Sequence, residues 1–172
     1  MKDIERYKHL NTYLKEKFGE RTLKICVDGN FTCPNRDGSL GYGGCIYCSE
    51  KGSGELINTL PDISSQVRNY FNSYRATRAN KFIVYFQNFT NTYDSIENLK
   101  KKYDSALIDD RIVGLSVATR PDCINEDIVK LFGTEIMRHY FGNNLWILLA
   151  MKCKYDNIII SDQRFINENI IA

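Results

Sequence analysis

The segment Lys81-Phe82-Ile83-Val84-Tyr85-Phe86 constrains the fold of this chain more than any other. It is an uninterrupted β-type run, the pattern of a strand buried on both faces. Segments with helical spacing flank it. Ile63, Val67, Tyr70, Phe71 and Tyr74 form an apolar stripe between Asp62 and Arg78, with Pro61 as a start signal. Ser95 to Leu107 reads as a second helix, capped by Ser95 or Asp94. Upstream, Leu23, Ile25 and Val27 alternate with Lys24, Cys26 and Asp28 as a strand. Downstream, Arg111 to Ala118 is another, followed by a short helix from Asn125 to Phe132. A further helix precedes the first strand, with Ile4, Tyr7, Leu10, Leu14 and Phe18 on one face and Gly19 as its stop. Strands alternating with helices at this spacing predict an α/β fold with a parallel sheet of right-handed βαβ units.

In such a fold the loops after the strand C-termini build the site. Three segments take that position: the loop after Val27, Gln87–Tyr93 and Thr119–Asp122. The first holds Cys33, Cys45 and Cys48, the last two as a C-x2-C pair, among Gly, Asn, Asp and Ser residues. Several thiolates converging from a flexible loop suit a soft metal centre. Three ligands leave one metal position open, whereas a closed structural zinc site takes four. Two readings stand here. One is a zinc loop completed by Cys26, Cys123 or a histidine, although His9 and His139 both lack the short spacing that zinc ligands favour. The other, favoured by loop position and open coordination, is an iron–sulfur centre with three protein ligands. Cys26 alternates with its apolar neighbours and reads as a small side chain on the other face of its strand, and Cys153 has no close partner.

The 172 residues suffice for one domain with a core. No apolar run reaches membrane-spanning length and the polar start contains no signal-peptide core, so a cytoplasmic protein without membrane contact is expected. In that compartment, six cysteines argue for metal or catalysis rather than disulfides. A net charge of +2 decides nothing about nucleic acid. Arg68, Arg75, Arg78 and Lys81 interleave with aromatics, but the two sets fall on opposite sides of a helix, the pattern of a solvated amphipathic helix. Gly38, Gly41, Gly43 and Gly44 lack the phosphate-loop context and read as tight turns.

Several segments resemble an uncharacterised bacterial radical S-adenosylmethionine family related to the Elp3-like enzymes. They are Arg6-Tyr7, Leu10-Asn11-Thr12-Tyr13-Leu14, Phe18-Gly19, Phe31 to Gly38, Gly43 to Ser49, Tyr85 to Tyr93 and Gly114 to Asp122. The resemblance covers residues 1 to about 132 and implies a radical S-adenosylmethionine (βα) partial barrel, truncated here after about three βα units. It implies that Cys33, Cys45 and Cys48 hold three irons of a [4Fe-4S] cluster. The fourth iron would chelate S-adenosylmethionine for reductive cleavage to a 5′-deoxyadenosyl radical. It also implies a one-electron reductant of the flavodoxin or ferredoxin type. An RNA substrate follows by fold-level analogy only. Tyr47 matches the aromatic position that packs the adenine, or is an ordinary core aromatic. Gln87, Thr90 and Asn91, with Asn88 and Thr92, suit the amino-acid end of the cofactor or serve as turn residues. Ser116, Thr119 and Arg120 would reach its ribose or carboxylate, while Asp122 either joins them or caps the next helix.

From Gly133 the chain instead resembles the C-terminal part of deoxynucleoside monophosphate kinases, through Gly133-Thr134-Glu135, Arg138, Trp146 and Asp162 to Glu168. Without a P-loop, kinase activity does not follow. Two pieces are therefore expected: residues 1–132, and a short α/β segment over 133–172 with a helix at Asn143–Lys152 and a strand at Asn157–Ile160. Their junction at Phe132/Gly133 reads as a fusion. Turnover by so short a barrel is in doubt, and a non-catalytic binding loop or a non-functional fragment are the alternatives.

Overall fold

A computed structural model describes residues 7–136 except 53, 55, 56, 58 and 59. The second helix and strand expected beyond Asn143 lie outside the described residues. The chain divides into two units, residues 1–124 and 125–172.

The first unit is α/β. Helix α1 (Leu10–Phe18) ends at Gly19, whose φ of 77° lets its N–H close onto the Lys15 carbonyl. Strand β1 (Thr22–Val27) leads into a long loop, and α2 (Ile63–Phe71) follows, capped by Asp62. Strand β2 (Lys81–Phe86), helix α3 (Ile96–Asp104) and strand β3 (Ile112–Val117) complete the order, with Ser95 capping α3 through the Asn98 N–H. The sheet runs β1-β2-β3 and every pairing is parallel, as the alternation of elements predicts. Register runs from Thr22 opposite Lys81 to Val27 opposite Phe86, and a bulge at Phe82/Ile83 resets β2 against β3.

Side-chain alternation divides the sheet into two unlike faces. Ile25, Val27, Phe82, Val84, Phe86 and Ile112 are buried on one. Rings from the two flanking helices seal it: Tyr70 and Phe71 stand edge-on to Phe82, and Tyr103 lies perpendicular to Phe86 at 5.1 Å. On the other face Lys24 and Cys26 are exposed and Ile83, Tyr85 and Ser116 only half-buried, with the Lys24 ammonium 4.9 Å from the Tyr85 ring. Thus β2 is buried on one face rather than two. Its continuous apolar run hides the difference, because Tyr and Ile tolerate half exposure that Phe and Val here do not meet.

The helix expected from Asp62 to Arg78 is also shorter than its stripe. It stops at Phe71, a separate 3-10 turn spans Ala76–Arg78, and Tyr74 is 82% exposed. Arg68, Arg75 and Arg78 are exposed, as a solvated face requires.

In the second unit, α4 (Glu126–Lys130) is capped by Asn125, whose Oδ1 accepts the Ile128 N–H at 2.9 Å. Asp122 is not the cap, because Arg120 holds its carboxylate. A π-helical turn over Leu131–Ile136 continues α4, so the Phe132/Gly133 position falls within a helical segment. No described helix is long and apolar enough to cross a membrane.

Candidate metal and cofactor site at the strand ends

The loop between β1 and α2 begins with Asp28, which is tied down on every side. Gln66 brackets its backbone, accepting the Asp28 N–H at 2.8 Å and donating to its carbonyl at 2.9 Å. The Asp28 carboxylate accepts the Asn30 N–H and the Asn88 amide. Phe31 then packs edge-on to Phe86, and the Thr90 N–H reaches the Thr32 carbonyl at 3.2 Å. The root of the cysteine loop is therefore anchored to α2 and to the loop after β2.

Beyond Cys33 the chain folds through successive tight turns. The Cys33 carbonyl accepts from Arg36 and Asp37, and the Pro34 carbonyl from Leu40 and Gly41. The Asn35 carbonyl takes the Gly44 N–H at 2.9 Å, and the Cys45 carbonyl takes the Cys48 N–H at 2.9 Å. Gly43 and Gly44 have φ of 78° and 84°, a left-handed pair that residues with a Cβ rarely adopt. The loop is further tied to the loop after β2, where the Ser39 and Tyr93 hydroxyls lie 2.8 Å apart.

Each of the three sulfurs meets its own donor. Asn35 Nδ2 stands 3.1 Å from Cys45 Sγ, Arg36 Nη2 3.4 Å from Cys48 Sγ, and Arg120 Nη1 3.9 Å from Cys33 Sγ. Tyr47 first, then Asn35, draws the Cys45 thiol below the ordinary range. Cys45 in turn pushes the Tyr47 phenol upward. Burial has the opposite effect on Cys26 and Cys123, raising both thiols. The set contains three thiols and no carboxylate, a donor chemistry that suits a soft metal or an iron–sulfur cluster. Among the described residues, no group of three or more Cys, His, Asp or Glu side chains is drawn together tightly enough to hold a metal ion.

The other expected residues occupy different surroundings. Asn91 and Thr90 are fully buried. The Asn91 amide donates to the carbonyls of Phe86 and Ala118, and its own N–H also reaches Ala118, so it joins the ends of β2 and β3. Thr92 bonds the Thr119 hydroxyl and the Cys123 carbonyl. Arg120 forms a bidentate pair with Asp122 at 2.9 and 2.7 Å while touching Cys33. Tyr47 is 86% exposed and Thr119 is exposed, whereas Ser116 lies on the open sheet face and Gln87 directly follows β2. The buried side-chain oxygens of Asn88 and Asn91 find no hydrogen-bond partner among the described residues.

Sequence reasoning missed Asp28, Asn35, Arg36 and Phe89 as parts of the site. Asn35 and Arg36 carried one usable signal: two strong donors stand immediately after a ligand cysteine and a proline.

The chain is 40% identical over 154 residues to the uncharacterized protein YtqA of Bacillus subtilis, covering 88% of this chain and 47% of that one. It is 30% identical over 146 residues to protein YhcC of Escherichia coli K12, at 85% and 46% coverage. To the uncharacterized protein MJ0486 of Methanocaldococcus jannaschii it is 29% identical over 150 residues, at 86% and 44% coverage. The chain thus spans about half the length of these relatives. No protein-family model matches it. No solved structure matches it either.

Proposed function

We propose that this chain is the cluster-binding part of a radical S-adenosylmethionine protein, its three-stranded sheet being one portion of a partial barrel. Cys33, Cys45 and Cys48 would hold a [4Fe-4S] cluster. The observation carrying this reading is that each of these three thiols, on the loop that leaves the end of β1, is met by a separate donor. Hydrogen bonds to ligand sulfurs orient them and tune the centre they hold. When bound, such a cluster supplies one electron to the sulfonium of S-adenosylmethionine, which breaks a carbon–sulfur bond to give methionine and a 5′-deoxyadenosyl radical.

The chain's own residues bind and orient. Asn35, Arg36 and Arg120 hold the sulfurs. Tyr47, with its ring exposed beside Cys45, offers a face on which an adenine can stack. Gln87, Ser116 and Thr119 provide polar groups at the strand ends and on the open sheet face for the rest of the cofactor. Thr90 and Asn91 act from beneath, by fixing the loop that carries these contacts. Arg120 is held by Asp122 in reach of both Cys33 and the surface.

Anaerobic reconstitution with ferrous iron and sulfide tests the reading. The expected product is a brown protein with acid-labile sulfide, and Cys48→Ala should abolish loading while Cys123→Ala leaves it intact. Dithionite reduction in the presence of S-adenosylmethionine should then yield 5′-deoxyadenosine. A colourless protein that binds zinc and contains no sulfide would refute the cluster and favour a zinc loop. A loaded cluster with no 5′-deoxyadenosine would leave an iron–sulfur binding protein without radical chemistry.

A further inference from the structure

Among the described residues of the cysteine loop, Arg36 has the most extensively bound side chain. Its Nη2 reaches the Cys48 carbonyl and the Cys48 sulfur, both at 3.4 Å, and also the Ser49 carbonyl. Its Nη1 lies 3.5 Å from the Glu50 carbonyl. Two nitrogens of one guanidinium therefore span three consecutive carbonyls, using a rigid planar fork that an ammonium lacks.

Two features of the surrounding chain serve this placement. A Cβ at Gly44 would come to 2.9 Å from Arg36 Nε, so a larger residue there would make the guanidinium shift. The Phe89 ring centroid lies 5.1 Å from the guanidinium carbon. Phe89 has φ of 58°, an uncommon backbone state for a bulky residue, and its ring also abuts Gly52 of the same loop. Arg120, in contrast, has its charge balanced by Asp122. Among the described residues no carboxylate pairs with Arg36.

We infer that Arg36 is the positioning residue of this loop: it closes the Cys45–Glu50 turn and, as a cation bonded to the Cys48 sulfur, raises the reduction potential of the centre held there. The second half rests on the iron–sulfur reading above. Its physical basis is that a positive charge hydrogen-bonded to a ligand sulfur stabilises the reduced, more negative state of a cluster.

The full chain is compared with Arg36→Met, which keeps the stem but removes the charge, and Arg36→Lys, which keeps the charge but removes the fork. Far-UV circular dichroism checks the fold of each. Amide hydrogen exchange of the Cys48 and Gly52 N–H groups is read on metal-free protein, and the midpoint potential on reconstituted protein by spectroelectrochemistry. Exchange at these amides should accelerate about tenfold in both variants, the scale of a lost charge-assisted bond. The midpoint should move to more negative potential in Arg36→Met and return toward wild type in Arg36→Lys. Should Arg36→Met not fold, Arg36→Lys carries the exchange comparison, and its potential must stay near wild type. Unchanged exchange overturns the loop-closing role, and an unchanged potential in Arg36→Met overturns the electrostatic one. If wild-type protein takes up no iron and sulfide, the iron–sulfur reading and the electrostatic role fail together. The exchange comparison then still decides the loop-closing role.

Discussion

Among the cysteines, charge rather than access sets the order of reactivity. Cys26 is exposed and Cys45 only half-exposed, so access alone would have Cys26 react first. Only the thiolate is nucleophilic, however. The Tyr47 and Asn35 donors lower the Cys45 thiol below its ordinary value, while burial of part of its surroundings raises that of Cys26. At pH 7 more of Cys45 is therefore ionised, and iodoacetamide should modify it before Cys26 in metal-free protein. The gap should narrow only above the ordinary thiol range, as the raised Cys26 thiol ionises in its turn. Peptide mass spectrometry over a time course reads this directly. Tyr47→Phe removes the largest cause of the shift and should slow Cys45 at pH 7 with little effect above pH 9. A faster Cys26 throughout would show that access governs instead. The positions of the cysteines are plain in the sequence, but their donors are not: Arg120 is 87 residues from the sulfur it touches.

Between elements, the joint that matters most lies where β2, β3 and α3 meet. Asn91 ties the ends of the two strands through the Phe86 and Ala118 carbonyls, and the Tyr103 hydroxyl of α3 donates to the Asn91 carbonyl at 2.5 Å. Tyr103 is fully buried, and burial pushes its phenol well above the ordinary range, so it remains a donor at any working pH. Tyr103→Phe keeps the ring against Phe86 and removes that donor. The expected cost is about 1–3 kcal/mol, the penalty for a buried acceptor that loses its partner. Urea unfolding should show a lower midpoint with an unchanged slope. The elements themselves were legible: all three strands stand within a residue or so of their expected bounds, and α3 starts at its Ser95 cap but ends at Asp104, three residues before the expected Leu107. Helix α2 was overextended because an apolar stripe continues past Asn72 in sequence, while the chain there leaves the sheet and exposes Tyr74. The roles expected for Asn91 and Thr90 could not be separated from turn chemistry, since the same amide and hydroxyl groups serve both.

For residues 1–124 taken together, Phe86 is the point where loop, sheet and helix depend on one another. It is fully buried, edge-on to Phe31 at the root of the cysteine loop and perpendicular to Tyr103. Phe86→Ala should cost about 3–5 kcal/mol. That is a large share of the ~5–15 kcal/mol typical of a folded domain. Thermal melts of the sheet signal and iron–sulfide loading should fail together in this variant; loading that survives loss of the sheet would show that the loop forms its site alone. By itself, the sequence determined the parallel α/β order and the three cysteines at the end of the first strand, because hydrophobic period and ligand type are local properties of the chain. The tertiary structure alone decided which sheet face is covered, how the loop is clamped and which donor meets each sulfur. Those depend on residues such as Arg36, Phe89 and Arg120, which approach the loop only when distant segments fold against one another.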